Sequence, residues 1–146
     1  LIGIREMVKF EVTRKIRFGQ TDAAGITYYP RLVEMINDIV EDFFADVVNF
    51  SYKEMIVETD YGVPTVNLNV NFKNPAELED YVVWSLVVTK IGRASFSVLI
   101  DAKVEEKEIL TADVKLVYIK GKGNIMKNHP LPDHVKECMQ DYLVEG

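Results

Sequence analysis

A single carboxylate, Asp22, stands between a strand-like run and a helix start in the stretch from Phe18 to Pro30, F-G-Q-T-D-A-A-G-I-T-Y-Y-P. Gly25 follows three residues later, then Tyr28, Tyr29 and Pro30. Pro30 suits the first helical position, because its missing N–H would have no partner there and its φ is preset. The amides around Tyr29 then lie at a helix N-terminus, where unpaired N–H groups and the positive end of the helix dipole meet. A fixed carboxylate beside such donors is what hydrolysis of an activated acyl group requires. One part attacks or activates water, and the other holds the developing oxyanion. Read without that chemistry, Asp22 is a carboxylate that caps a turn near Gly25, a common use of Asp. Gly25 itself marks close backbone approach or a positive φ.

The elements that would hold these residues follow from hydrophobic periodicity. Lys9 to Phe18 reads as a strand, with Phe10, Val12, Ile16 and Phe18 set among charged and polar neighbours. Pro30 to about Val48 reads as a long helix, with Leu32, Ile36, Ile39, Phe43 and Val47 in one stripe widened by Val33, Val40 and Phe44. So wide an apolar face needs extensive cover, as when a sheet wraps the helix. Ser51 to Gly62 reads as a short helix and a turn. Four strands then follow with no long helix between them: Val63–Lys73, Tyr81–Ile91, Ala94–Val104 and Ile109–Ile119. Tyr81–Ile91 is apolar in both registers, which predicts cover on both faces. Short connections favour antiparallel neighbours. Pro130 and Pro132 mark a break, and Asp133 is placed to cap a last helix reaching Leu143. Strand, long helix, four strands and short helix make an α+β layer fold, an antiparallel five-stranded sheet around one helix.

The signature resembles that of the hotdog-fold acyl-CoA thioesterases of the 4-hydroxybenzoyl-CoA thioesterase type. The shared pattern is an aromatic residue, Asp-x-x-Gly-[Ile/Val], then an aromatic or His residue and a helix start, here Phe18, Asp22, Gly25, Ile26, Tyr29 and Pro30. G-V-P-T-V from Gly62, N-F-K-N-P-A from Asn71 and I-G-R-A-S-F from Ile91 continue it in order and spacing. The resemblance implies a single hotdog domain over residues 1–146; because the sequence opens on Leu1 rather than Met, Leu1 to Glu6 is expected to be an added or upstream extension, with Met7 the natural start. It implies that Asp22 is nucleophile or general base, that the backbone N–H of Tyr29 is an oxyanion donor, and that Gly25 shapes the loop. Many relatives carry His where this chain has Tyr29, and Tyr where it has Phe18. The departure leaves Asp22 to work more alone and argues against dehydration of hydroxyacyl thioesters, which would use a His. The resemblance further implies an acyl-CoA substrate, no metal or organic cofactor, and a homodimer or homotetramer with the active site across the dimer. Val63–Lys73, one face apolar and one polar, is the candidate sheet edge for that pairing. Hydrolysis of acyl groups on a carrier protein, and a noncatalytic acyl-CoA binding module, are the alternatives. An intact Asp22 argues against the second.

Lys90, Arg93, Lys120 and Lys122 are candidate binders of the CoA phosphates, being a local basic set in a chain of net charge -6, and Ser95 joins them at the tight turn of Lys90 and Arg93. K-G-K-G is no Walker motif, because no G-K-[ST] opens a helix. That net charge argues against nonspecific nucleic-acid binding. His129 and His134 read as surface or capping residues, and no spacing matches a zinc site. Asn67, Asn69 and Asn71 line one face of a strand, solvated, intersubunit or near the ligand. Trp84, Tyr61 and Tyr81 are candidates for pocket walls. The lone Cys138 cannot form an internal disulfide and suits a reducing cytoplasm. No apolar run approaches a membrane span. Hydrophobic residues at 48% and charged residues at 27% match a globular composition with enough length to bury a core.

Overall fold

The computed structural model describes residues 8–144. The extension Leu1–Glu6 and the start at Met7 expected from the sequence lie outside the described residues. The chain runs through β1 (Phe10–Lys15), a 3-10 turn (Phe18–Gln20), α1 (Tyr29–Phe43), two wide π turns (Phe44–Val48 and Lys53–Glu58) and β2 (Tyr61–Gly62). It continues through β3 (Thr65–Phe72), β4 (Tyr81–Ile91), β5 (Ser95–Val104), β6 (Lys107–Val117), β7 (Ile119–Lys120), β8 (Lys127–Asn128) and α2 (Asp133–Gln140). Five strands form one sheet in the order β1-β4-β5-β6-β3, and every pair is antiparallel. This is the α+β arrangement expected. A second, small sheet β2-β7-β8, absent from the sequence reading, lies beside it. Its strands are two residues long, too short to leave a period.

The apolar stripe of α1 is buried through Leu32, Met35, Ile36, Ile39, Val40 and Phe43. The inner face of the sheet meets it with alternate residues, as in Val82, Trp84 and Leu86 of β4 and Phe96, Val98 and Ile100 of β5. The ring of Phe43 packs edge-on against Phe10 at 5.6 Å and Tyr142 at 5.4 Å, while Phe44 meets Phe96 at 5.7 Å and Tyr52 at 5.9 Å. Trp84, expected at a pocket wall, is fully buried instead. The helix closes with Asn49 in the left-handed region at φ 56 and the Phe50 N–H returning to the Phe44 carbonyl at 3.0 Å. This is the glycine-type helix stop made with Asn.

Four local expectations are corrected. β4 is covered on both faces only in its second half, where Val87 and Val88 are both buried; Tyr81 and Val83 in its first half face solvent. β1 pairs with β4 only from Tyr81 to Leu86. Beyond that point the C-terminal residues take the vacant edge, the Val88 N–H donating to Tyr142 and the Val144 N–H to Val88, both at 2.9 Å. The last helix therefore ends at Gln140 rather than Leu143, since Leu143 bridges Val88. Asp133 does not cap it: Pro132 holds the cap position with no side-chain bond, and Asp133 is the first helical residue. Pro30 is the second helical residue, not the first, because α1 begins at Tyr29. Among the described residues, no helix is long and apolar enough to cross a membrane.

Phe44→Ala should lower unfolding free energy by about 3–5 kcal/mol, the scale of truncating a fully buried aromatic ring. Urea unfolding at fixed protein concentration reads it. A loss under about 1 kcal/mol would mean that the π turn relaxes to fill the space.

Candidate active site

The chain between β1 and α1 forms a small hairpin. The Asp22 N–H donates to the Ile26 carbonyl at 2.9 Å, Thr21 and Thr27 form a bridge, and the Tyr28 N–H donates to the Gln20 carbonyl at 2.9 Å. Its tip is a β-turn in which the Gly25 N–H donates to the Asp22 carbonyl at 3.0 Å. Gly25 holds φ at +76 with open space where a Cβ would sit, so conformation rather than crowding asks for glycine there. Asp22 Oδ1 accepts the Ala24 N–H at 2.8 Å, which fixes the carboxyl on the turn. Oδ2 has no hydrogen bond among the described residues, and the side chain is exposed. Turn capping and availability for chemistry thus coexist in one group.

The hairpin is strapped to the connection between β3 and β4. The Thr27 N–H and Thr27 Oγ1 both donate to the Ala76 carbonyl at 2.8 Å. The Leu78 N–H donates to Gly25 at 3.0 Å, the Ile16 N–H to Asp80 at 2.8 Å, and the Glu79 N–H to Ile16 at 2.9 Å. The hairpin ends at Tyr28, the cap of α1, and the first helical amide is that of Tyr29. Among the described residues, that N–H has no acceptor, as helix geometry dictates for a first-turn amide. The Tyr29 ring is exposed and meets Phe72 of β3 edge-on at 5.9 Å, with Tyr28 at 5.8 Å on Tyr29. Phe72, Thr27 and the strap were missed in the sequence. Only Pro75, a loop signal within N-F-K-N-P-A, pointed toward that connection.

The basic candidates lie elsewhere. Lys90, Arg93 and Ser95 sit at the β4–β5 turn, closed by the Gly92 N–H on the Ser95 carbonyl at 2.7 Å. A Cβ on Gly92 would come within 2.9 Å of Ser95 Oγ and 3.3 Å of the Ser95 carbonyl oxygen, so the turn is tight there. Lys120 Nζ lies 5.7 Å from the Tyr61 ring, which stacks on Tyr118 at 5.1 Å with His129 edge-on to both. Burial, with the Tyr61 phenol adding to it, pushes the Tyr118 hydroxyl up to about 12. Lys122 follows on the loop after β7. The Asp22 hairpin stands at the end of the sheet where β1 finishes and β4 starts, whereas these residues gather where β4 finishes and β5 starts. The ten residues of β5 put about 30 Å between the two ends. Within one chain the two groups are not brought together. His134 lies near Phe50, ring centroids 6.3 Å apart, away from both. Among the described residues, no group of three or more His, Cys, Asp or Glu side chains could hold a metal ion.

A helix started from a hairpin that carries a free carboxyl oxygen, on a five-stranded antiparallel sheet, agrees with what comparison of the whole chain shows. The chain belongs to the thioesterase-like superfamily, whose family profile matches residues 16–139. A 1,4-dihydroxy-2-naphthoyl-CoA hydrolase of Nostoc punctiforme is 24% identical over 133 residues, covering 91% of this chain and 88% of that one. Among solved structures, a 1,4-dihydroxy-2-naphthoyl-CoA thioesterase from Synechocystis superposes with a TM-score of 0.82 at 22% identity, covering 92% of this chain and 97% of the other. The 4-hydroxybenzoyl-CoA thioesterase of Pseudomonas sp. strain CBS-3 gives 0.77 at 20% identity over 89% and 98% of the two chains. The hotdog fold expected from the Asp22 signature is the fold of this chain.

The turn makes its own prediction. Gly25→Ala should cost about 1 kcal/mol through left-handed strain, and Gly25→Asn less, since Asn tolerates that region. Calorimetry should then show Gly25→Ala melting roughly 2–4 °C below the parent, with Gly25→Asn between them. Identical melting of all three proteins would show that the turn carries no strain.

Proposed function

We propose that this protein hydrolyses the thioester of an acyl-CoA, with Asp22 and the Tyr29 N–H acting on opposite sides of the same carbonyl. The observation that carries this reading is the acceptor-less Tyr29 amide at the start of α1, tied by one short hairpin to a carboxylate with a free oxygen. The thioester oxygen would rest on the amide, where charge developing at the tetrahedral stage is held by a donor that needs no reorganisation. Asp22 either attacks the carbonyl carbon, giving an anhydride that water then opens, or takes a proton from the attacking water. In both routes the carbon–sulfur bond breaks and CoA leaves as the thiol, so no metal or organic cofactor is needed. The exposed rings of Tyr28, Tyr29 and Phe72 beside that amide favour a flat aromatic acyl group. The names of the relatives, hydrolases of dihydroxynaphthoyl-CoA and hydroxybenzoyl-CoA, support the same choice. The single thiol suits a reducing cytoplasm as the place of action.

The reading includes a dimer. β3 is an edge of the main sheet, and Val66, Leu68 and Phe72 on it are exposed. Such an edge calls for cover. Pairing with its twin about a two-fold axis supplies it and reverses the strand direction. The partner subunit's Arg93 end would then lie alongside the Asp22 end of the first. Three to four strand spacings, about 15–20 Å, would separate Tyr29 from the partner's Arg93, a distance an extended pantetheine arm can bridge. Lys90, Ser95, Lys120 and Lys122 would serve the nucleotide phosphates from that same partner.

Asp22→Asn should leave the fold intact and lower turnover on the best aromatic acyl-CoA by roughly 100-fold or more. Thiol release by a variant holding over half the parent rate would exclude the central role of Asp22. Arg93→Ala should raise KM with little change in kcat, and the penalty should shrink at high salt. Light scattering should give at least twice the 16.7 kDa chain mass. Mixed dimers of Asp22→Asn and Arg93→Ala chains should recover one low-KM site, since the intact Asp22 and intact Arg93 then face each other. No recovery from a verified mixed dimer would place Asp22 and Arg93 in separate sites.

A further inference from the structure

Thr27 is the one polar residue among the described residues buried to 8% exposure, and the catalytic reading above makes no use of it. Its backbone N–H and its hydroxyl both end on one acceptor, the carbonyl of the fully buried Ala76, at 2.8 Å each. The N–H alone would satisfy that carbonyl. The second donor adds a direction, because two bonds from one residue fix the rotation of the peptide as well as its distance. Thr27 lies two residues before Tyr29, with the cap residue Tyr28 between them held through its N–H on Gln20 at 2.9 Å. On the other side, Thr27 bridges Thr21, the residue before Asp22. Ala76 belongs to the connection that leaves the edge strand β3 four residues earlier, where Phe72 touches the Tyr29 ring.

We infer that Thr27 is a positioning residue for the hydrolytic site: its hydroxyl, anchored on Ala76, sets the orientation of the segment that presents the Tyr29 N–H. The inference rests on the thioesterase reading for its kinetic consequence, but the anchoring itself does not. A misdirected donor costs rate in the step where charge develops and leaves binding of the distant CoA arm unaltered.

The decisive variants are Thr27→Val and Thr27→Ser. Valine keeps the shape and suits the extended backbone, and the Ala76 carbonyl keeps its backbone donor, so the chain should fold with an unchanged circular dichroism spectrum. For Thr27→Val we expect exchange of the hydrogen-bonded amides of residues 27, 28 and 31 to quicken about tenfold or more, while the sheet amides of β4 and β5 stay protected. On an aromatic acyl-CoA, kcat should fall by about tenfold with KM within about twofold. Thr27→Ser, which restores the hydroxyl, should return both exchange and kcat toward the parent values. Unchanged exchange in Thr27→Val overturns the proposal, as does a serine variant as slow as the valine one. A rise in KM alone also overturns it. If the parent protein hydrolyses no thioester at all, the functional reading fails, and the exchange experiment still decides whether Thr27 holds the segment.

Discussion

The structure depends on one constraint: a helix with an apolar face too wide to expose must be wrapped, and wrapping fixes where it begins. α1 buries Leu32, Met35, Ile36, Ile39, Val40 and Phe43 against the sheet, so its axis has little freedom to tilt or slide. Its first amide cannot find a partner within the helix, because no preceding turn exists to supply a carbonyl. Tyr28 offers no side-chain cap, and Pro30 has no N–H to compete. An amide donor is therefore left at a defined point on the rim of the fold, at the positive end of the helix dipole. Packing in the core thus determines the position of a polar group on the surface. The hairpin that carries Asp22 adds the second group without lengthening the loop.

That hairpin is held more tightly than an exposed loop usually is. Four backbone hydrogen bonds and the Thr27 hydroxyl connect residues 16–27 to the chain between β3 and β4, and three more backbone bonds close the hairpin from Gln20 to Tyr28. Of the two carboxyl oxygens of Asp22, one holds the turn, and the other makes no hydrogen bond among the described residues. The bland and the catalytic interpretations of such a residue therefore do not compete. A carboxylate whose rotamer is locked by the Ala24 N–H is better placed for a directed reaction than one free to rotate.

Long periodic segments were legible in the sequence, and so was the motif. The stripe from Leu32 to Phe43 and the alternation through β5 and β6 each bury a face, so their side chains carry the period that burial imposes. Val63–Lys73 was recognisable as a candidate edge because it follows a long connection, and β3 is an edge. The failures fall where tertiary context decides. Tyr81–Ile91 is apolar in both registers, yet Tyr81 and Val83 on its outer face are exposed, and Val87 is the residue of that face that is buried. Asp133 has the chemistry of a cap, but the break at Pro132 already occupies that position. The sheet β2-β7-β8 has too few residues per strand to show alternation. Thr27 was hidden for a different reason: a threonine in a signature loop looks the same whether its hydroxyl meets water or a buried carbonyl.

The placement of the basic residues adds the last step. Asp22 and Arg93 lie at opposite ends of the sheet, on the order of 30 Å apart by the length of β5, so under the proposed reading one chain alone would hold half of a site. A two-fold pairing of β3 would place the complementary half beside it. The same pairing would act on the chemistry more directly. Phe72 stands on the edge strand and touches the Tyr29 ring, while Ala76, four residues past β3, anchors the hydroxyl of Thr27. A partner that orders the β3 edge would therefore order both supports of the oxyanion segment. Association and the geometry of the Tyr29 amide would then be two consequences of one contact, and an isolated protomer would lack the CoA-binding residues together with part of the rigidity that aims the donor.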